Sequence, residues 1–496
     1  MPLTYNIPFF SLFLVLLSAI ATPLLRGERT ALRLSQGVEL TVAGMSALLL
    51  AQLWQTGESF TFTMGHFPAP WGNELKAGPL EALLAFVFSV VMFLSVTGGA
   101  EDLRRDVKPH RQGSYCLLMQ LLYAALLAMV YTNDLFTAYV FIEIAAITAC
   151  MAVVAKESGR SVVAAIRYLI FSCLGSGLIL LGISILYAIT GHLLMEDLGA
   201  AVAQLVPLEQ YQLPLTASAL LMTLGLAIKS AQFPFHAWLP DAHASATTAS
   251  SAVLSGLVLK GYVVLLVKLM VRVFGSELMG RIYIHDLLFL LGLTGMLFAS
   301  VAALRQEDVK RMVAYSSSAQ ISYIFMALGL GSQAGVAAAC FQIIAHAFTK
   351  PMIFVGAGAL IRAGRGGHYW SDLRGAAWND KTAGAAFTVG GLSLCGLPLL
   401  AGFSAKYSLA VAALSSHWQV MPALFGLAVS SVLNAMYYIP AILAIWGKRR
   451  EGIPVQPHFG GREHRFAILC FLVCNVILGV AVGPILGLIH RGLSLI

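Results

Sequence analysis

Charge is scarce in this sequence. Asp, Glu, Lys and Arg make up 11% of its 496 residues, against roughly a quarter in an average soluble domain. Hydrophobic residues reach 58% and the mean hydropathy is +0.81. That balance excludes a soluble globular domain and leaves a polytopic membrane protein. Cofactor patterns are missing too. Cys116, Cys150, Cys173, Cys340, Cys395, Cys470 and Cys474 lie almost all in apolar runs. With no CxxC and no Cys/His cluster, no zinc or iron–sulfur site is written here. The stretch GLGSQAG at 329–335 lacks the Lys-Ser/Thr ending of a phosphate loop and reads as a turn. No cofactor or metal is expected in this chain, so any driving energy comes from elsewhere.

What is present is a series of long apolar runs. A helix needs about 20 apolar residues to cross the hydrocarbon core, and counting such runs gives about fourteen spans. They include span 7 at 214–235, span 8 at 247–271, span 10 at 308–329, span 12 at 384–413 and span 14 at 465–489. The first run, PFFSLFLVLLSAIATPLL, follows no basic residue and carries no small-residue cleavage site, so it is expected to be retained. The segment 54–78 alternates apolar and polar residues around Gly65 and Pro68, which predicts a short hairpin on the outer surface.

Basic residues are retained on the cytoplasmic side of a membrane. Twenty-two Lys and Arg fall in loops after odd-numbered spans, and four (Lys76, Arg272, Arg281 and Arg491) fall on the other side. Both termini are therefore expected to face outward from a cell membrane. Topology accounts for the net charge of +8 without nucleic acid.

The remaining five basic residues, Lys229, Lys260, Lys268, Lys350 and Lys406, lie inside spans, and Glu143 is read as the one deep acid. An ionisable group at the bilayer centre costs roughly 2.5–3.5 kcal/mol on insertion scales, so such residues mark function by default. Lys268 lies one turn before Arg272 at the outer end of its helix and is expected to snorkel, so that Lys268→Ala should be nearly silent. Lys229 stands five residues before Pro234, which removes a backbone donor and opens the helix. Pro398 and Gly402 precede Lys406 in span 12 and repeat the device. Spans 7 and 12 are an odd number apart and run in opposite directions, as an inverted five-helix repeat requires.

His346 and Lys350 are four residues apart, on one helical face about 6 Å from each other. A histidine titrates near neutral pH, so this pair and Lys260 can exchange protons. Glu143 lies nine residues, about 13.5 Å, along its helix from Asp134 and is the natural counter-ion for a lysine next door. The bland alternative is that these groups pair only to hold the bundle together. Four deep lysines, one histidine and one glutamate cannot all pair off.

Four segments carry a family resemblance: NDLFTAYVFIEI, AIKSAQFPFHAWLPDAHASATTASSAVLSGLVLK, QEDVKRMVAYSSSAQISYI and HAFTKPMIFVGAGAL. On these, nearly the whole chain resembles the antiporter-like subunits shared by respiratory complex I, Mrp cation/proton antiporters and energy-converting membrane hydrogenases. The resemblance implies an all-α fold of about fourteen transmembrane helices in inverted five-helix repeats, with helices 7 and 12 broken. Its implied units are 1–113 (helices 1–3 and the outer hairpin), 114–273 (helices 4–8), 274–450 (helices 9–13) and 451–496 (helix 14). Glu143 and Lys229 then look like the family's charge-pair switch, and Lys260 and His346, with Lys350 close by, like its central relay. Lys406 matches the broken-helix residue of the other half-channel, where some members carry glutamate. Gln320 stands where several members have histidine. The chain stops soon after span 14, without the long lateral helix of the most distal complex I subunit, and so looks like a medial member.

The implied activity is proton translocation within a larger assembly, through a relay that performs no redox chemistry itself. The first reading is a pump subunit powered by redox partners, which would hold the iron–sulfur clusters. The alternative is a subunit of an Mrp-type Na+/H+ antiporter driven by an ion gradient. A third is a passive scaffold. Expected partners are other membrane subunits, antiporter-like neighbours among them, and lipid; protons are the expected cargo, with sodium left open.

Overall fold

The computed structural model describes residues 3–25, 28–67, 72–364, 366–448 and 461–495. Helices dominate. The first group is α1 (Ile7–Ala21), α2 (Glu28–Thr56) and α3 (Pro79–Gly98), followed by the short α4 (Ala100–Asp106). Next come α5 (Gln112–Tyr131), α6 (Leu135–Val154), α7 (Gly159–Thr190), the short α8 (Met195–Leu205), α9 (Gln212–Lys229) and α10 (Leu239–Ser245). The span Thr248–Arg281 is assembled from α11 (Thr248–Val253), a π-helical turn, α12 (Leu259–Lys268), a second π-helical turn and α13 (Gly275–Arg281). The third group holds α14 (Ile284–Leu304), α15 (Val309–Leu328), α16 (Gln333–Ala363), the short α17 (Trp370–Leu373), α18 (Lys381–Cys395), α19 (Ala401–Leu414) and α20 (Val420–Ile445). Then follow α21 (Arg462–Val480) and α22 (Val482–Ser494), with a break at Ala481 inside the expected last span.

The starts of these helices are written locally. The first four N–H groups of a helix lack partners within it, and short polar side chains supply them. Asp134 caps α6, Ser158 caps α7, Thr247 caps α11, Asp308 caps α15, Ser332 caps α16 and Asp380 caps α18, each by accepting a backbone N–H three residues on. Pro8 and Pro79 occupy first turns, where no donor is needed. The expected surface hairpin is present: β1 (Phe60–Thr63) pairs antiparallel with β2 (Glu74–Ala77), Phe60 opposite Ala77. Its residues 68–71 lie outside the described residues. Asn133, just before α6, ties the hairpin down by donating to Glu74 Oε1 at 2.7 Å.

Among the described residues, twelve helices are long and apolar enough to cross a membrane. The protein is a multi-pass, nearly all-helical membrane protein. Two expected spans fall short of that measure, each for a physical reason. Span 12 is split into α18 and α19, so neither piece is long enough alone. Span 10, α15, carries Ser316, Ser317, Ser318, Gln320 and Ser322. All five are buried, and a helix enclosed by protein needs no lipid-facing hydropathy. The most apolar windows of Thr248–Arg281 and Gln333–Ala363 are entirely buried as well, which makes these two rods the core. They touch where a Cβ on Gly256 would come within 2.4 Å of Pro351 Cγ, an approach only glycine permits.

The structure corrects several charge assignments. Glu143 is not the one deep acid, because Glu39 in α2 is fully buried and Glu81 in α3 is nearly so. Arg272, counted as an outer-side loop residue, is instead buried in an ion pair with Glu81. Lys310, counted with the basic loops, is buried in the first turn of α15 and donates to Ala246 O at 3.0 Å. Lys268 does not snorkel: its ammonium turns inward and donates to Val130 O at 2.9 Å and to Thr132 O. Lys268→Ala is therefore expected to be felt in stability. It strips two carbonyls at the end of α5 of their donor and is expected to lower stability by about 1–3 kcal/mol. A thermal melt of the purified assembly reads this as a lower Tm, and an unchanged Tm would show that other donors take over.

Candidate functional site

The first break follows α9. Its last residue is Lys229, after which Ser230–Pro234 leave the helix and a turn at Phe235–Trp238 leads into α10. Backbone freed at membrane depth must be satisfied by protein or water, and here α15 supplies the partners. Ser318 Oγ donates to Ala231 O at 3.0 Å, and Ser322 Oγ donates to Gln232 Oε1 at 3.0 Å. Gln232 Nε2 reaches Leu291 O at 2.6 Å. The motif AYSSSAQISYI is thus the polar wall that keeps the break open.

Lys229 points from the break toward α7 and α6. Glycine makes this possible: a Cβ on Gly225 would sit 2.6 Å from Gly175 O, so α9 and α7 are almost in backbone contact. The Lys229 ammonium donates to Ser172 Oγ at 2.9 Å and lies 3.6 Å from Glu143 Oε1. Ser176 Oγ donates to the same carboxylate oxygen. The Tyr262 ring, on α12, has its centroid 5.5 Å from the ammonium. The Lys229 side chain is fully buried, while that of Glu143 is 31% exposed on the outside of the chain. The pair therefore spans from the interior to a face where another subunit can reach it. At 3.6 Å and an effective dielectric near 20, its attraction is on the order of 4–5 kcal/mol.

Lys260 sits two residues beyond the π-helical turn Leu254–Val258. Such turns interrupt regular backbone pairing, and Lys260 Nζ donates to the Ser255 carbonyl within it. Ser255 Oγ is 2.8 Å from Ser317 Oγ of α15. His346, on α16, is buried with both ring nitrogens unpartnered among the described residues. Lys260 and Lys350 are both within electrostatic reach of it. A neutral imidazole has one donor and one acceptor nitrogen, so it can take a proton on one side and release one from the other.

Lys350 donates to Val313 O at 2.8 Å, Ser316 Oγ at 2.7 Å and Tyr438 OH at 3.3 Å. Tyr438 packs on Tyr437, with ring centroids 4.8 Å apart, and Tyr437 donates its hydroxyl to Asn434 Oδ1. Asn434 Nδ2 in turn reaches Leu394 O at 3.1 Å. Lys406 donates to that same carbonyl at 2.7 Å, to Cys395 O at 3.3 Å and to Ser431 Oγ at 2.9 Å. The row thus ends at the second break, Gly396–Leu400, between α18 and α19. The two breaks are used from opposite sides. Lys229 is the last residue of its half-helix, whereas Lys406 lies beyond its break and reaches back to the end of α18. Both lysines serve the C-terminal, negative end of a half-helix, where a cation is favoured.

All six expected residues are therefore placed: Glu143 meets Lys229 directly, Lys260, His346 and Lys350 cluster, and Lys406 joins through Tyr438, Tyr437 and Asn434. Sequence reasoning missed the α15 serines, those tyrosines and His243. His243 is fully buried against Phe354, at 4.5 Å between ring centroids, with Lys260, Lys310 and Lys350 in electrostatic reach. Its only sequence signal is its place in the WLPDAH run after the break. Gln320 pairs with Gln342, whose Nε2 donates to it at 2.8 Å. No group of three or more His, Cys, Asp or Glu among the described residues is placed to hold a metal ion.

The family model described as NADH:quinone oxidoreductase/Mrp antiporter, TM, matches residues 132–433, more than half of the chain. The chain belongs to this family. NADH-quinone oxidoreductase subunit N of Desulforudis audaxviator is 33% identical over 502 residues, covering 99% of this chain and 97% of that protein. An Na+/H+ antiporter subunit of Alkalihalophilus pseudofirmus is 26% identical over 449 residues, covering 90% and 88%. Among solved structures, a chain of the membrane-bound sulfane sulfur reductase, an archaeal respiratory membrane complex, superposes with a TM-score of 0.86 at 26% identity, covering 99% of this chain and 96% of that one. A chain of the Mrp complex from a Dietzia species gives 0.87 at 20% identity, covering 100% and 97%, which is a likeness of fold. The family matches thus fall on both respiratory and antiporter complexes, and all six residues of the charged row lie inside the matched segment.

Proposed function

We propose that this family member is a proton-translocating subunit of a redox-driven membrane complex related to complex I or to the energy-converting hydrogenases. The observation that carries the reading is the Glu143–Lys229 pair at 3.6 Å, set at a helix break and continued by Lys260, His346, Lys350 and Lys406. Opening the pair to about 7 Å would halve its Coulomb attraction. The Lys229 ammonium would then give up its proton toward Lys260 and His346, while Lys406 serves the other half-channel. A neighbouring antiporter-like subunit, reaching the partly exposed Glu143, would open and close it.

The two five-helix units 114–273 and 274–450 would act as the inverted halves of this path. The complex would sit in the cell membrane, with the basic loops in the cytoplasm and the termini outside. This chain would hold no redox group itself; iron–sulfur clusters in partner subunits would supply the energy. The relation to a subunit of an Na+/H+ antiporter favours one second reading, a gradient-driven Mrp-type antiporter in which sodium also moves. Metal analysis and subunit identification on the complex that co-purifies in mild detergent separate the two. Abundant iron supports the redox-driven pump; a metal-free assembly of small membrane proteins supports the antiporter.

A further inference from the structure

Glu39 lies outside the relay, in the N-terminal helices, and its carboxyl has little compensation there. It is 0% exposed, on the face of α2 that carries Ser35, Val42 and Ser46. Among the described residues it has no ion-pair partner. Gln120 Nε2 of α5 donates to Glu39 Oε1 at 2.9 Å, and Ser18 Oγ of α1 donates to Gln120 Oε1 at 3.3 Å. Glu39 Oε2 has no hydrogen-bond partner among the described residues. An ionised carboxylate held so would be both unpaired and short of donors, which is the costliest arrangement a membrane interior offers. A carboxylic acid carries its own donor on the second oxygen, and that form suits these surroundings.

A cavity of about 300 Å³ at the basic-loop side is lined by Pro23, Ala31, His110, Gly113 and Ser114, among others. Ala31, Ser35 and Glu39 are four residues apart in turn along α2, so the carboxyl stands about 12 Å above the cavity on the same helix face. Ser35, halfway, is buried with its hydroxyl beside the Cys116 thiol. On the other side of Glu39 the buried hydroxyls of Ser46 and Tyr131 face each other, and that of Tyr123 faces Ser89.

From these positions we infer that Glu39 is a second proton-binding site, loaded from the basic-loop side through the cavity and Ser35, and separate from the lysine relay. The ligand is a proton rather than a metal cation, because the side chain nearest the carboxyl presents an amide donor to it. Among the described residues, nothing else facing Glu39 supplies or removes charge. α1 has no charged residue, the one in α3 is Glu81 near its start, and α5 has none, contributing only Cys116 and Tyr123 within electrostatic reach. Arg33, on α2 itself, is exposed.

The test uses the intact complex in its native membranes. A hydrophobic carbodiimide, which modifies protonated carboxyls, is expected to label Glu39 at neutral pH, as located by peptide mass spectrometry, with no competition by sodium ions. Infrared difference spectra between wild type and Glu39→Gln should show a protonated carboxyl band that shifts when D2O is added, and more slowly in Ser35→Ala. Absence of both label and band would mean an ionised Glu39 and overturns the proposal. Labelling that sodium suppresses would make this a cation site and overturns it equally. A band that never shifts in D2O overturns the access route. If Glu39→Gln fails to assemble, the labelling of the wild-type complex still decides the matter.

Discussion

Lys229→Ala and Glu143→Gln are each expected to abolish ion transport by the assembly while leaving it intact in detergent. Lys229 is the only cation paired with Glu143 among the described residues, and its ammonium's hydrogen bond goes to Ser172. Removing the lysine leaves the carboxylate with Ser176 and the outer face. Removing the carboxylate charge leaves a buried ammonium that has lost its Coulomb partner, so the opening and closing of the pair no longer controls the proton. A positioned proton-transfer group contributes about 10²–10⁴-fold to rate, which sets the size of the loss. Transport assayed in membrane vesicles, beside subunit stoichiometry by gel, reads it. Both variants pumping at the wild-type rate would remove this pair from the path.

Lys260→Met separates function from structure. The methionine keeps the length and the packing of the stem but removes a fully buried ammonium whose one hydrogen bond goes to the Ser255 carbonyl. Replacing buried charges by apolar groups of similar volume is often neutral or stabilising. The expected outcome is a Tm equal to or above that of wild type, together with a transport loss of about 10²-fold or more. A passive scaffold predicts the reverse pattern, with stability altered and transport untouched. Retained transport at unchanged stability would place the midplane path elsewhere.

Much of this site was legible because a membrane makes rare residues conspicuous. A lysine in an apolar run, and Pro234 or Pro398 interrupting such a run, stand out without any knowledge of neighbours, and both breaks lie where those residues put them. What failed were the cross-helix contacts that neither helix periodicity nor the family resemblance could supply. Helix periodicity places Lys268 and Arg272 on one face, but only the fold shows that this face meets the end of α5 and Glu81. Glu39 passed as an ordinary residue of a moderately polar span, since nothing near it in sequence marks the side turned to Gln120. The serines of α15 looked like a motif of the family; their task as partners for a broken helix eighty to ninety residues earlier exists only in three dimensions.

One assay decides whether this chain carries protons or merely accompanies subunits that do. The purified complex is reconstituted into proteoliposomes, driven by its own energy source, and proton flux is followed with a pH-sensitive dye for wild type, Glu143→Gln, Lys229→Ala and the double variant. Groups that act as one unit fail together, so the two single variants and the double variant should all lose flux to the same low level at unchanged subunit content. Full flux in the double variant, with every subunit present, would contradict the relay and leave the chain as a scaffold.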